Sequence, residues 1–210
     1  MKLTAQHDKG VNLLMISSAE NCDTDSWPMV PQLQFRHYRG NLDTELGAVA
    51  AAILFSRHCG AVADFNGARI SLDAARAIRC IMPEVEELFP IHGMKRDIGQ
   101  GVSALVVGEA QRMFNGGGVG RVGRSARAVT WSGDFVGGDR RDSTEYVGGD
   151  IFTNATLIAG TTEISVALAL LVGGKAIRDI YVPPPPKEEA KSFARIAAGL
   201  EFVSVKLQSW

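Results

Sequence analysis

The sequence is short of the residues that cross-link small folds or bind transition metals. It has three cysteines and four histidines in 210 residues. Cys22, Cys59 and Cys80 are an odd number and show no CxxC spacing, which argues against a disulfide framework and against a structural zinc site. We therefore predict neither a bound metal nor a cofactor.

An excess of charge and a long apolar run are also missing. The 22 Lys and Arg nearly balance the 23 Asp and Glu, for a net charge of −1, so the whole molecule has no strong field for nucleic acids or anionic membranes. The longest apolar run, 164–172, falls well short of the ~20 residues that span a bilayer. The N-terminus lacks the apolar segment of a signal peptide. These absences predict a cytoplasmic protein with no membrane partner.

What is present has an ordinary globular composition, with 46% hydrophobic and 21% charged residues. A chain of this length fits one domain. We predict a single α+β domain over 1–210, with a long excursion over about 111–158. The excursion is predicted as a β-hairpin, two long strands joined around residues 139–144.

Apolar periodicity and capping residues predict the remaining elements. Asp43 and Ser71 are suited to cap helices over 44–58 and 72–81. The expected strands cover 11–17, 33–39, 61–65 and 102–110. The C-terminal third reads as helix 163–172, strand 177–182, helix 187–198 and strand 202–207. This order predicts a mixed, mostly antiparallel sheet with helices packed on one face, and a ferredoxin-like arrangement is one candidate.

Glycine and arginine are concentrated in residues 115–127, "NGGGVGRVGRSAR". Residues 118–123 spell GxGxxG, but no strand directly precedes them and no amphipathic helix follows, which argues against a dinucleotide site. A phosphate-loop pattern fails because Arg124 takes the place of the lysine. What remains is a glycine-rich segment that could approach a polyanion closely.

The leading functional hypothesis follows from this basic segment and from strand 33–39, where aromatic and basic residues alternate. Aromatic rings that stack on bases, beside arginines that bind phosphates, are typical of proteins that bind single-stranded nucleic acid. The predicted nucleic-acid-binding residues are Arg36, Tyr38, Arg39, Arg112, Arg121, Arg124 and Arg127. We predict an RNA-binding subunit of a larger, oligomeric assembly with other protein subunits. RNA or another polyanion is its partner.

Two alternatives stay open. In the first, the protein is an enzyme whose glycine-rich loop closes over a phosphorylated or carboxylated small molecule. Its catalytic residues are then unknown, and His92 or an acid within 134–150 is the candidate acid-base group. Free amides at the start of the helix near Thr161–Glu163 could bind an anion, or simply be capped by Thr161 or Thr162. In the second, the hairpin makes the protein a structural interaction subunit. The acids of 134–150 could also serve a metal or a partner, although hairpin turns recruit aspartate for backbone reasons alone.

Overall fold

Ten strands form a single large sheet, and helices pack against it. The computed structural model describes residues 1–8, 12–18, 30–38, 42–94, 103–110, 113, 126–133 and 151–210. The strands are β1 (Lys2–Asp8), β2 (Asn12–Ser18), β3 (Gln32–Arg36), β4 (Val62–Asp64), β5 (Glu87–Phe89), β6 (Ser103–Glu109), β7 (Arg127–Gly133), β8 (Ile151–Thr153), β9 (Ile177–Val182) and β10 (Lys206–Ser209). The helices are α1 (Thr44–Phe55), α2 (Leu72–Ile81), α3 (Thr161–Gly173) and α4 (Ala190–Glu201).

The strands are ordered β10-β9-β6-β7-β8-β3-β2-β1-β4-β5. The sheet is mixed, as predicted, but "mostly antiparallel" is wrong, because six of its nine strand pairs are parallel. A helix placed between two strands carries the chain back to the edge where it started, so the next strand runs parallel to the last. The ten-stranded sheet is also larger than the ferredoxin-like arrangement.

The predicted β-hairpin does not form between the two strands that flank the excursion. Strands β7 and β8 are parallel, with Trp131 opposite Ile151 and Gly133 opposite Thr153. Parallel strands cannot be joined by a hairpin turn, since the end of one strand and the start of the next lie at opposite edges of the sheet. The residues between them, 134–150, lie outside the described part of the chain.

Counted outward from the central β3–β8 pair, the strands of the two halves follow the same order. The N-terminal half runs β3-β2-β1-β4-β5 from the central β3–β8 pair, and the C-terminal half runs β8-β7-β6-β9-β10. Among the strands and α-helices named above, each half has three strands, then a helix, a strand, a second helix and a strand; the C-terminal half also has helical residues, Ala110 and Met113, between β6 and β7. The halves differ in the first three strands, which are antiparallel in the N-terminal half and parallel in the C-terminal half. The fold is thus an internal pseudo-duplication.

A short sequence match accompanies this duplication. Helix α1 begins Thr44-Glu45-Leu46-Gly47, and α3 contains Thr162-Glu163-Ile164-Ser165 at the equivalent place. The two helices pack against each other at the centre of the helical layer, and each continues as a nearly all-apolar segment. These two segments form the middle of the hydrophobic core.

The helices of the described residues pack against one another: α1 contacts α2 and α3, and α4 contacts α2 and α3. The predicted caps of α1 and α2 are confirmed, because the Asp43 side chain accepts from Glu45 N and Leu46 N and Ser71 Oγ accepts from Ala74 N. Gly199, expected to end the last helix, lies inside α4. A Cβ there would come within 3.0 Å of the Ala77 carbonyl, so glycine permits close contact with α2.

No helix in the described ranges has the length and apolar character to cross a bilayer.

Candidate anion-binding groove

A charged groove lies where α3 and α4 begin. Both helices start after parallel strands, β8 and β9, at the strands' carboxyl edge, which is where open α/β sheets bind ligands. The groove has a volume of about 560 Å³. It is lined by Arg57, Thr156, Leu157, Ile158, Ala159, Gly160, Glu163, Glu188, Glu189, Lys191, Ser192 and Arg195. We call it the α3–α4 groove.

The Glu163 carboxylate links the segments that form the base of the groove. Its side chain is 2% exposed, and its Oε1 lies 3.2 Å from Arg57 Nη2 at the end of α1. The same oxygen accepts from Ser192 Oγ of α4 at 2.8 Å, and Oε2 accepts from Gly160 N at 2.8 Å. A buried carboxylate needs such partners, since burying one unpaired is costly. Glu163 therefore fixes the positions of three helices relative to one another.

Glu189 provides the cap of α3. This residue precedes α4 and is buried, and its two carboxylate oxygens accept from Thr161 N at 3.1 Å and Thr162 N at 3.0 Å. The amides at the start of α3 therefore bind a carboxylate of the chain itself. Neither threonine is the N-cap, because the helix begins directly after Gly160 and carboxylates satisfy its first amides.

Helix α4 turns a mixed face toward the groove. Glu188, Lys191, Ser192 and Arg195 follow at spacings of three and four residues, so they lie on one side of the helix. The Nε atom of Arg195 is buried and has no hydrogen-bond partner among the described residues. A buried charged donor without an acceptor requires explanation, because most such groups in folded proteins are paired.

Tyr38 is predicted from the sequence to stack on a base, and the structure contradicts this. Its side chain is fully buried, and the hydroxyl donates to the Leu171 carbonyl of α3 at 2.8 Å. Burial raises the pKa of Tyr38 to about 12. The strand alternation that placed Tyr38 outside ends at His37, whose φ of 61° is left-handed and turns the next residue into the core. Phe35 is fully buried as well.

The described basic residues of the predicted interface are not neighbours. Arg36 and Arg127 are both exposed. Arg36 pairs with Phe152, which also pairs with Ser132, so it sits near the end of β7 opposite to Arg127. Alternation along the strands also points their side chains toward opposite faces of the sheet. The structure thus does not bring these two arginines together.

The other predicted site residues divide into two groups. Arg39, Arg112, Arg121 and Arg124 lie outside the described residues, as do the acids of 134–150. His92 is exposed after β5 and donates its backbone N–H to the Ile70 carbonyl, but it does not line the groove. Within the described ranges, no group of three or more His, Cys, Asp or Glu side chains is arranged to hold a metal ion.

Most of the groove is not anticipated by the sequence. The start of α3 is recognisable as an anion site or a capped end, and capping is what the structure shows. Arg57, Glu189, Lys191 and Arg195 were missed because three separate segments supply the groove. One usable signal is the spacing of Glu188, Lys191, Ser192 and Arg195, a charged stripe on an otherwise apolar helix.

Comparison with known proteins gives no relative for this arrangement: no family model matches the chain, and neither a curated protein nor a solved structure matches it.

Proposed function

We propose that the protein binds a small anionic molecule, bearing a phosphate or a carboxylate, in the α3–α4 groove. The observation that carries this proposal is the buried Nε–H of Arg195, which has no acceptor among the described residues. Leaving a buried donor unpaired costs about 1–3 kcal/mol, and more for a charged group. Arg195 lines the groove, and an oxygen of a bound anion would supply the acceptor once the side chain turns this buried atom toward the groove.

The charges around Arg195 support an anion rather than a cation. Lys191 lies one turn before Arg195 on the same face of α4, and Arg57 lies across the groove. The carboxylates of Glu163 and Glu189 accept hydrogen bonds from the start of α3, and Glu163 is also paired with Arg57. Their charge is largely compensated within the protein. Glu188 also lines the groove, but it is exposed, so water screens its charge. An arginine fork and a lysine ammonium on one helix face are well suited to phosphate or carboxylate oxygens.

The size of the groove supports a small molecule. Its volume of about 560 Å³ falls within the ~300–1,000 Å³ that is usual for ligand pockets. Apolar side chains from Leu157 and Ile158 line one wall, so a ligand with a carbon skeleton beside its charged group fits better than a bare ion. The residues that line the groove include no histidine and no cysteine, and the proposal is one of binding.

Isothermal titration with inorganic phosphate, glycerol 3-phosphate and succinate tests this function. We expect saturable binding of at least one, and a roughly tenfold loss of affinity in Lys191→Ala and in Arg195→Gln, because each removes a charge-assisted hydrogen bond. Lys187→Ala is the matched control. It removes the same charge close to α4 from a residue that does not line the groove. An equal loss in Lys187→Ala would show that net charge alone attracts the anion and would refute the groove.

RNA binding stays a second proposal, favoured by four arginines without an acid in residues 111–127. It now depends on phosphate contacts alone, since Phe35 and Tyr38 are buried. Such contacts position a nucleic acid without reading its sequence. A structural interaction subunit stays a third proposal; β7 and β8, which flank residues 134–150, are parallel rather than paired as a hairpin.

A further inference from the structure

A second cavity lies in the N-terminal half and shares no lining residue with the α3–α4 groove. It has a volume of about 250 Å³ and lies between β1, the start of α1 and the residues that follow β4. From β1 the chain continues through β2 and β3 to one side, whereas β4 and β5 lie on the other side. The cavity lies outside the carboxyl end of β4, which is the edge of an open α/β sheet where ligands commonly bind. We call this cavity the β1–β4 pocket.

The C-terminal half contains the equivalent position, and there it is closed. The space between β6, the start of α3 and the end of β9 has a volume of about 10 Å³, which holds at most one water. Thr44 and Gly47 line the open pocket, and their counterparts Thr162 and Ser165 line the closed one. The C-terminal half thus shows that the same arrangement of two strands and a helix can pack without a cavity.

The β1–β4 pocket is open because its walls carry small side chains. Gly47 faces the cavity, and a Cβ on it would approach Leu42 Cδ1 to 3.0 Å. In the C-terminal half, the Ser165 side chain occupies the equivalent position and accepts a hydrogen bond from Trp131. Alanines supply much of the remaining wall: Ala5, Ala48, Ala51 and Ala68. The pocket opens to solvent at Thr44, Asn66 and Gly67, so a ligand can enter it, and it lies at an edge of the sheet where α/β proteins bind ligands.

The lining of the pocket defines the chemistry of that occupant. Hydroxyls of Thr4 and Thr44 and the amide of Asn66 are its polar side chains, and no Lys, Arg, His, Asp or Glu lines it. Next to it, Asp43 Oδ1 already accepts from Glu45 N and Leu46 N. The start of α1 is therefore occupied by a negative group that would repel an anion. Phe65 adds an apolar surface.

We propose that the β1–β4 pocket binds an uncharged, hydroxyl-bearing molecule of about the size of a monosaccharide. Threonine hydroxyls and an asparagine amide both donate and accept, as do the hydroxyls of a polyol. This proposal does not rest on the α3–α4 groove, which has a charged lining and shares no lining residue with the pocket.

The test is a titration followed by ¹H–¹⁵N NMR, with glycerol, D-ribose, D-glucose and myo-inositol as probes. We expect at least one to give saturable shifts at Thr44, Gly47, Asn66 and Gly67. Gly47→Ser should weaken binding at least tenfold by filling the cavity as Ser165 does, and Gly93→Ser is the control because a Cβ at Gly93 meets open space. If Gly47→Ser does not fold, Asn66→Ala, at an exposed residue, replaces it with the same expectation. Binding by none of the four below about 10 mM, or equal binding to wild type and the pocket variant, overturns the proposal.

Discussion

Trp131 and Ser165 form a buried hydrogen bond that joins the sheet to the central helix of the C-terminal half. The indole Nε1–H of Trp131 donates to Ser165 Oγ at 2.9 Å, and Ser165 Oγ donates to the Thr161 carbonyl at 2.8 Å. Trp131 is 0% exposed and Ser165 1%. Because both side chains are shielded from solvent, the indole depends on the serine for its hydrogen bond. The same place in α1 is occupied by Gly47, which leaves the β1–β4 pocket open.

Replacing Ser165 by Ala should lower the free energy of unfolding by about 1–3 kcal/mol, because the buried indole N–H then has no acceptor. Urea unfolding followed by circular dichroism measures this. The single variant Trp131→Phe removes the indole N–H donor and also reduces the volume of the side chain. In the double variant the Ser165→Ala cost should shrink, since no indole N–H is then left unpaired. Strict additivity of the two variants would contradict the bond's role.

Replacing Glu189 by Ala should destabilise the protein by about 0.5–2 kcal/mol, the usual range for removing a helix cap. The physical reason is that Thr161 N and Thr162 N lose the carboxylate that satisfies the start of α3. The control is Glu188→Ala, an exposed neighbour with the same charge, for which we expect a change within about 0.5 kcal/mol. Thermal unfolding measures the stability of both variants. Equal stability of Glu189→Ala and Glu188→Ala would contradict the capping role.

Tyr38→Phe should cost about 0.5–1.5 kcal/mol at neutral pH, since the Leu171 carbonyl loses its buried donor. The cost should change with pH in a definite direction. The pKa of Tyr38 is about 12 in the folded chain against its ordinary value of 10.0, so between pH 10 and 12 the unfolded chain has released a proton that the folded chain still holds. Stability from Tyr38 is therefore complete below pH 10 and falls as pH rises toward 12.

Urea unfolding of wild type and Tyr38→Phe from pH 8 to 12 measures this linkage. The difference between them should be constant up to about pH 10 and then narrow. A difference that grows over that range would mean that the ionised tyrosine is stabilised in the folded state, contrary to its burial.

The local elements are predictable where capping and periodicity agree. Helix α2 has the predicted bounds, 72–81, and α1 has the predicted cap, because Asp43 and Ser71 bond to the first turn. Strand β1 was missed because the N-terminal residues are mostly polar, and it is recognised only by its pairing with β2. The sheet order depends on contacts between distant segments, which no local pattern reports. The pairing of β3 with β8 is one example.

The site is predictable only in part, for the same reason. The sequence indicates that the start of α3 can bind an anion. The group that binds there is the carboxylate of Glu189, which lies in the segment before α4. The stacking surface was predicted from alternation over 33–39, which holds through Arg36 and fails at His37 because of its left-handed backbone. This one residue turns the Tyr38 side chain into the core.

The RNA proposal has its own test in the basic segment. A triple variant, Arg121→Ala, Arg124→Ala and Arg127→Ala, should weaken binding to all single-stranded RNA sequences alike. It should also reduce the slope of log affinity against log salt by about 0.7 for each phosphate that an arginine no longer neutralises. Tyr38→Phe is the control and should leave affinity unchanged, since the ring is buried. Fluorescence anisotropy at several salt concentrations makes the measurement. Wild-type affinity and slope in the triple variant would eliminate RNA binding by this segment.

The central claim, an anion bound to Arg195 in the α3–α4 groove, is tested most directly by the ¹⁵N NMR signal of the arginine Nε–H. Arg195→Lys assigns the signal by its disappearance. On titration with the tightest binder among phosphate, glycerol 3-phosphate and succinate, the Arg195 Nε–H resonance should shift downfield and saturate, because the buried donor gains a charged acceptor. The Arg178 signal is the internal reference, since its guanidinium bonds to backbone carbonyls outside the groove. An Arg195 signal that does not move while the ligand binds, or that moves no more than that of Arg178, would contradict anion binding at this residue.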